Sequence, residues 1–427
     1  MRWQRHCSNV SIFNKSVRHL PKCLTAGYAN CMNGITELVE KIAPEAVALR
    51  HDIHAHPELG YEEHQTAQRI LDQLRPLGRL DIRTGVAKTG IVAVLNADKA
   101  GPCVALRTEL DALPIEERTG LSYASKHPGK MHACGHDGHM ACLVGAVKVL
   151  TQLAEDLPGS IKFIFQPAEE FGAGGDVMCK EGVLDDPKVD AIFALHGWPD
   201  LELGHVGVRE GAAMASADQW KITVHGVGGH AAYPHRTVDP VVVASHIVVA
   251  AQTIASRSTD PLQSVVVTVA SAHAGTAHNI IPETAELTGT IRALTPGVRA
   301  GTLTRFKDIV KHTAAAFGAT ADVEFGTGYP VLVNDDEASA FVNDVARDVV
   351  GSHCVPEEVV PCMGGEDFAF FAQRVPAAFW RLGVRRGDPA SQPNLHQPTY
   401  DFPDEAVPVG IRMHCEMAMR YLNSKQS

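Results

Sequence analysis

The sequence predicts an α/β protein: a mainly parallel sheet flanked by helices, interrupted once by a smaller α+β unit. Three observations carry this. Short apolar runs alternate with stretches whose apolar residues recur at helical spacing, as when crossover helices bury a sheet on both faces. Several of those runs end in an ionisable residue, and open α/β sheets place their sites at strand carboxyl ends. Near Ser216 the pattern changes to strands that alternate apolar with polar residues, so one face there is wet.

Ala46–Ala55 reads as a helix that His56-Pro57-Glu58-Leu59-Gly60 stops. A second helix over Glu63–Leu74 places Ala67, Ile70, Leu71 and Leu74 on one face. Ile91–Leu95 and Cys103–Leu106 are buried strands, and the second leads into Glu109 and Asp111. His132-Ala133-Cys134-Gly135-His136-Asp137-Gly138-His139 follows, and Met140, Leu143, Val144, Val147 and Leu150 then mark a core-facing helix. Ile161–Phe165 is a strand ending in Gln166-Pro167-Ala168-Glu169-Glu170, and Ala191–Leu195 is another ending in His196. Three strands thus deliver Asp111, Glu169/Glu170 and His196 to one edge.

From Ser216 the expected order is strand Trp220–His225, helix from Asp239-Pro240 to about Ser256, strands Ser264–Ala270 and Glu283–Ile291, helix from Thr295-Pro296 to about Phe317, and strand Val323–Phe325. Asp and Thr as caps with Pro at the first helical position mark both helix starts. The order β-α-β-β-α-β describes a ferredoxin-like unit. Residues 216–326 are therefore expected as an insert in a larger domain made of 37–215 and 327–427. Helices Glu337–Val350 and Val407–Leu422 complete that domain, with a glycine turn at Met363–Phe368 and a loop at Asn394–Pro398.

The chain has 427 residues, 45% hydrophobic and 20% charged, with net charge −11. That argues for a globular protein of two domains and against a nucleic-acid or anionic-membrane binder. No apolar run is expected to span a membrane. Ten cysteines without paired spacing fit a reduced, cytoplasmic setting. Residues 1–36 carry Arg2, Arg5, Lys15, Arg18 and Lys22 and no acid before Glu37. This segment is set outside the fold. It reads as an upstream extension before a start at Met32, the alternative being a transit peptide.

Thiolate and imidazole bind borderline transition metals well, and Gly135 lets Cys134 and His136 turn toward one point. Glu170, His196 and His396 are further candidates from separate segments. Five ligands exceed what one tetrahedral ion needs, whereas two ions with a shared ligand would use them all. Of the adjacent Glu169 and Glu170, one can ligate while the other takes a proton from water; spacing alone does not order the pair. His132 and His139 are read as structural, His54 and His56 as helix-end packing, and Glu366-Asp367 as a helix-start acid pair.

The stretches His54–Gly60, Glu109–Pro114, His132–His139, Gln166–Glu170, Leu195-His196-Gly197, Gly228–His235, Asn279-Ile280-Ile281-Pro282, Gly289–Arg292, Met363–Phe368 and His396 together resemble the metal-dependent amidohydrolases of the aminoacylase and carboxypeptidase metallopeptidase superfamily. The branch that matches contains hippurate hydrolase, N-acyl-amino-acid amidohydrolases and plant auxin-conjugate hydrolases. The resemblance implies a zinc-peptidase-like catalytic domain with a lid and dimerisation domain. It implies two divalent ions, Mn or Zn, held by Cys134, His136, Glu170, His196 and His396, with Glu169 as general base. It also implies that the lid residue His230 reaches the substrate carbonyl oxygen, and that Asn279 and Arg292 hold the substrate carboxylate. Its substrates would be N-acyl amino acids such as hippurate, and its partner a second copy bound through the lid. In the wider superfamily a His-x-Asp ligand pair opens the first motif. Here Glu109 replaces that histidine, and Asp111 remains, with an orienting role toward a ligand histidine.

A dipeptidase of the same superfamily would share the metals but prefer a free α-amine beside the scissile bond. A non-catalytic small-molecule binder would have no use for Glu169. A redox thiol protein would need a resolving cysteine, and Cys142 on the following helix is poorly placed.

Overall fold

The computed structural model describes residues 22–425. Its elements in chain order begin with helices α1 (Lys22–His54) and α2 (His64–Leu74) and strands β1 (Leu80–Val86), β2 (Gly90–Leu95) and β3 (Cys103–Glu109). Helix α3 (His136–Gln152), β4 (Ser160–Gln166), α4 (Gly174–Lys180), β5 (Ala191–Glu202), β6 (Val206–Val208) and β7 (Gly211–Met214) follow. The segment after Ser216 holds β8 (Asp218–His225), β9 (Gly229–His230), α5 (Pro240–Ala251), β10 (Val265–Ala274), β11 (Ile280–Ile281), β12 (Thr284–Ala293), α6 (Pro296–Ala316) and β13 (Thr320–Phe325). The chain ends with β14 (Leu332–Asn334), α7 (Asp336–Val350), α8 (Ala369–Ala372), β15 (Ala377–Arg385) and α9 (Val407–Ser424).

The large sheet has the order β1-β2-β4-β3-β5-β15-β6. Its four central strands are parallel, as expected. Its outer strands β1, β2 and β6 pair antiparallel. Alternate residues of β2 and of the parallel strands feed two cores. Ile91, Ala93, Phe193 and Leu195 pack with α1, α2, α3, α7 and α9, whereas Val92, Val94, Ile192 and Ala194 pack with residues of α4 and α8. Both sheet faces are thus covered, which explains why these strands read as unbroken apolar runs. β1 was not expected. Its Leu80 and Ile82 alternate with the charged Asp81 and Arg83 at a half-exposed edge, and no continuous run marks it.

Helix α1 starts inside the stretch set outside the fold, and Ile35 is already buried. The reason is a stripe of Ile35, Val39, Ile42, Ala46, Leu49 and Ile53, all buried, which continues the helix upstream of Glu37. The readings of residues 1–21 lie outside the described residues.

The second sheet has the order β10-β12-β8-β13 with antiparallel pairs throughout. Asp239 and Thr295 cap α5 and α6 through Val241 N and Val298 N, as the sequence predicted. One face of the sheet packs Trp220, Ile222, Leu287 and Ile291 against Val243, Ile247, Phe306 and Val310 of these helices, a core separate from the other two. Contrary to expectation, Pro240–Ser258 is long and apolar enough by length and composition to cross a membrane. His246, Gln252 and Arg257 break it up in sequence, and Val243, Ala244, Ile247 and Ala251 face the sheet core. The chain passes between the two sheets along paired segments: Leu332 registers with Met214, and Ala217 N donates to Tyr329 O at 3.0 Å.

Candidate metal centre

The strand edge gathers the expected residues. β3 ends at Glu109 and β4 at Gln166, side by side in parallel register, which sets Asp111 beside the Pro167–Glu170 turn. His196 was expected at a strand end, but β5 continues to Glu202. β3 pairs with β5 only as far as Arg107 and Ala194, so His196 lies beyond that pairing, bonded through β15 alone. Gly135 has φ +89° between Cys134 and α3, a left-handed turn that favours glycine. Ala168 and His396 also have positive φ, 52° and 63°, so both ligand-bearing turns hold sparsely populated backbone.

Among the described residues five groups of candidate ligand atoms form, and two of them share Cys134. Cys134, His136 and His196 make one; Cys134, Glu170 and His396 make the other, and within each the ligand atoms lie within 4.8 Å of one another. Cys134 Sγ is 3.5 Å from His196 Nε2, and Glu170 Oε1 is 3.2 Å from His396 Nε2. The two buried imidazoles are pre-set as ligands. His136 Nδ1 donates to Asp111 O and His196 Nδ1 to Gly197 O, each at 2.8 Å. Each Nε2 therefore keeps a lone pair for the centre, and His136 Nε2 is buried with no hydrogen-bond partner.

The electrostatics favour cations. Burial opposes a charge on His136, yet Asp111, Glu109 and Glu170 push its pKa up to about 10. The same negative field would favour a metal ion there. Burial, then Glu170 and Glu169, push the Cys134 thiol well above its usual range; a divalent ion reverses that by holding the thiolate. These donors suit a pair of divalent ions, which Cys134, His136, Glu170, His196 and His396 would hold.

Asp111 is pinned at the centre of this edge. Its Oδ1 accepts from Glu169 N at 3.1 Å and its Oδ2 from Glu170 N at 3.0 Å. Toward His136 Nδ1 it presents its carbonyl oxygen at 2.8 Å and Oδ1 at 3.6 Å, and its carboxylate also fixes the glutamate turn. Glu169 is buried, and burial followed by Glu366, Glu170 and Asp367 pushes its carboxyl well above the usual range. A carboxyl tuned upward suits proton transfer near neutral pH.

Sequence reasoning missed a buried ionic network beneath Glu169. Arg107, fully buried in β3, pairs with Glu109, with Glu366 at 3.0 Å and with Asp367 at 2.9 Å. Glu109 Oε2 accepts from His139 Nδ1 at 2.9 Å, and His139 Nε2 accepts from Gly197 N at 2.7 Å. Glu366-Asp367 is thus the counter-charge to Arg107 as well as an acid pair before α8. The available signal was an arginine directly after the apolar run Cys103–Leu106, in a strand buried throughout.

A cavity of about 860 Å³ opens over Cys134, Glu169, Glu170, His196 and His396. Arg292 lines it, with Gln219, Thr327, Trp198, Met214 and Tyr329. Among the described residues Arg292 makes no ion pair; neighbouring Asp218 is taken by Arg299 at 2.7 Å. His230 and Asn279 are exposed and do not line this cavity. They lie together on the β9–β11 pair, where Ala231 N donates to Asn279 O.

Comparison with known proteins agrees with this arrangement. Residues 105–420 match peptidase family M20/M25/M40. The chain is 38% identical over 410 residues to an N-acetyl-L-cysteine deacetylase of Bacillus subtilis, covering 93% of this chain and 95% of that one. It is 37% identical over 403 residues to an IAA-amino acid hydrolase of Arabidopsis thaliana, covering 91% and 90%. A solved Bacillus subtilis dinuclear metal-binding peptidase superposes with TM-score 0.78 and 32% identity, covering 90% of this chain and 99% of that one. The chain belongs to peptidase family M20/M25/M40 and is a metal-dependent amide hydrolase.

Proposed function

We propose that the protein hydrolyses the amide bond of N-acyl amino acids of the hippurate type, giving a carboxylic acid and a free amino acid. The observation that carries this is Arg292, which makes no ion pair among the described residues and stands in the wall of the cavity that Cys134, Glu169, Glu170, His196 and His396 also line. A guanidinium suits a substrate carboxylate because it binds it bidentately. The dipeptidase reading needs a spare acid for an α-ammonium. The acids lining the cavity are Glu169, Glu170 and Glu366. The first is the base, the second a ligand, and the third pairs with Arg107.

Two divalent ions, zinc or manganese, would polarise the amide carbonyl and acidify a water molecule. The thiolate favours zinc, and the carboxylate also suits manganese. Glu169 takes the proton of the attacking water and returns it to the leaving amine. Arg292 holds the carboxylate, so the amide lies in register with Glu169.

His230 and Asn279 do not line their own cavity, and we assign them to the cavity of a second copy, with His230 at the carbonyl oxygen. Support for a homodimer through the insert comes from exposed Val241, Val242 and Val249 on α5 and Val266 on the edge strand β10. The net charge of −11 and a cavity of small-molecule size support a small-molecule substrate over nucleic acid or membrane. The seven cysteines from Cys103 to Cys415 are all free, which supports a reducing, cytoplasmic setting.

The test is metal analysis of protein purified without chelator, with hydrolysis of N-benzoylglycine, its carboxamide and a dipeptide panel. Preference for N-benzoylglycine over both supports the reading. Cleavage of dipeptides without cleavage of N-benzoylglycine refutes it.

A further inference from the structure

Phe171 follows the ligand Glu170 and is 69% exposed. Such exposure usually goes with a loose surface loop, yet this backbone is fixed on both sides. Glu170 N donates to Asp111 Oδ2 at 3.0 Å, Tyr61 OH donates to Gly172 O at 2.7 Å, and Ala173 N donates to Tyr329 OH at 3.3 Å. Gly172 lies flush against its support: a Cβ there would meet the Tyr61 ring at 2.6 Å and Ala168 Cβ at 2.7 Å. Among the described residues the Phe171 ring has no aromatic or cationic partner. The chain thus holds an aromatic side chain on a rigid base, with its ring free, in the wall of the cavity.

Leu395 stands in the matching place on the other ligand loop, immediately before His396, and also lines the cavity. Glu170 and His396 are 3.2 Å apart, so the two apolar side chains flank the same ligand pair. The Arg292 end is different. A Cβ on Gly365 would meet Ala217 Cβ at 2.7 Å and Arg292 Nη1 at 3.0 Å, so that end is narrow, and Gln219 and Thr327 make it polar.

We propose that Phe171 is a specificity-determining residue: its ring packs against an apolar, preferentially aromatic, acyl group of the substrate, with Leu395 on the other side. This rests on the N-acyl amino acid reading above. With the carboxylate at Arg292 and the amide beside Glu169, the acyl group leaves the centre past Glu170 and His396. An aromatic ring there gains from removing both ring surfaces from water and from offset or edge contact between them.

The experiment compares kcat/KM for N-benzoylglycine and N-acetylglycine in the metal-loaded full chain, as wild type, Phe171→Ala and Phe171→Trp. Phe171→Ala is expected to lower the benzoyl-to-acetyl ratio about tenfold, chiefly through KM for the benzoyl substrate. Phe171→Trp is expected to restore it. An unchanged ratio, or equal loss on both substrates, overturns the role of Phe171 and leaves the amide-hydrolase reading standing. A wild type that cleaves neither substrate overturns that reading and this inference with it.

Discussion

Asp111→Asn separates two jobs that one residue performs. The substitution keeps the backbone carbonyl that orients His136, and it keeps side-chain volume. It changes the carboxylate that accepts from Glu169 N at 3.1 Å and Glu170 N at 3.0 Å. Whichever way the new amide turns, its NH2 faces one of those two N–H groups, and two donors then meet in a buried site. Losing a hydrogen bond to a charged acceptor costs about 1.5–3 kcal/mol, and a stranded buried N–H adds to that. A total of about 3 kcal/mol corresponds to roughly a hundredfold in affinity for whatever the turn holds. The Glu170–His396 group should suffer most, because Glu170 leaves its place. The His136–His196 group, oriented by the carbonyls of Asp111 and Gly197, should be retained. Titration with a competing chelator, read by metal analysis, should show one ion released at about a hundredfold lower chelator strength than in wild type. Two ions released together at the wild-type chelator strength would falsify the division of labour argued here.

Glu169→Gln should keep full metal content and lower kcat by about two to four orders of magnitude, the usual worth of a positioned acid–base group; loss of metal instead would assign Glu169 to the ligands. Arg292→Gln should raise KM for N-benzoylglycine at least tenfold and leave the carboxamide analogue little affected; equal effects on both would remove the carboxylate role. His54 gives a pH signature. Burial opposes its charge, but hydrogen bonds and Coulomb attraction from Asp137 and Glu117 raise its pKa from 6.5 to about 9. A folded value above the unfolded one means stabilisation that is complete below about pH 6.5 and is lost as pH rises through about 9, at most about 3 kcal/mol. Thermal unfolding from pH 6 to 10 should therefore show an alkaline decline that is flatter in His54→Gln; parallel curves would exclude His54 as its source.

What could be read from the sequence was local or periodic. Cys134-Gly135-His136 and Glu169-Glu170 are contiguous, and their turn and strand-end settings follow from the residues around them. The alternation of Ala285, Leu287 and Ile291 in β12 is intact because one face of that strand is covered by helices and the other is wet. The arrangement around Arg107 could not be read, because its partners Glu366 and Asp367 lie 259 and 260 positions away. Nor did spacing reveal that Asp111 uses its carbonyl for His136 and its carboxylate for the glutamate turn. Strand β1 was invisible because an edge strand needs apolar residues on one side only, and seven residues give too few alternations to register. For His230 and Asn279, sequence resemblance supplied a role, but they are exposed and do not line their own chain's cavity.

The pairing of Met214 with Leu332 has an architectural consequence. The polypeptide leaves the large sheet and returns to it through one doorway, so everything beyond that doorway is a single detachable annex. Sealing the doorway with a tight turn would spare every rung of the seven-stranded ladder and all five candidate ligands. It would strip away Arg292, Gln219 and Thr327. The candidate ligands and Glu169 are therefore carried on one stretch of chain and Arg292, the proposed carboxylate grip, on another.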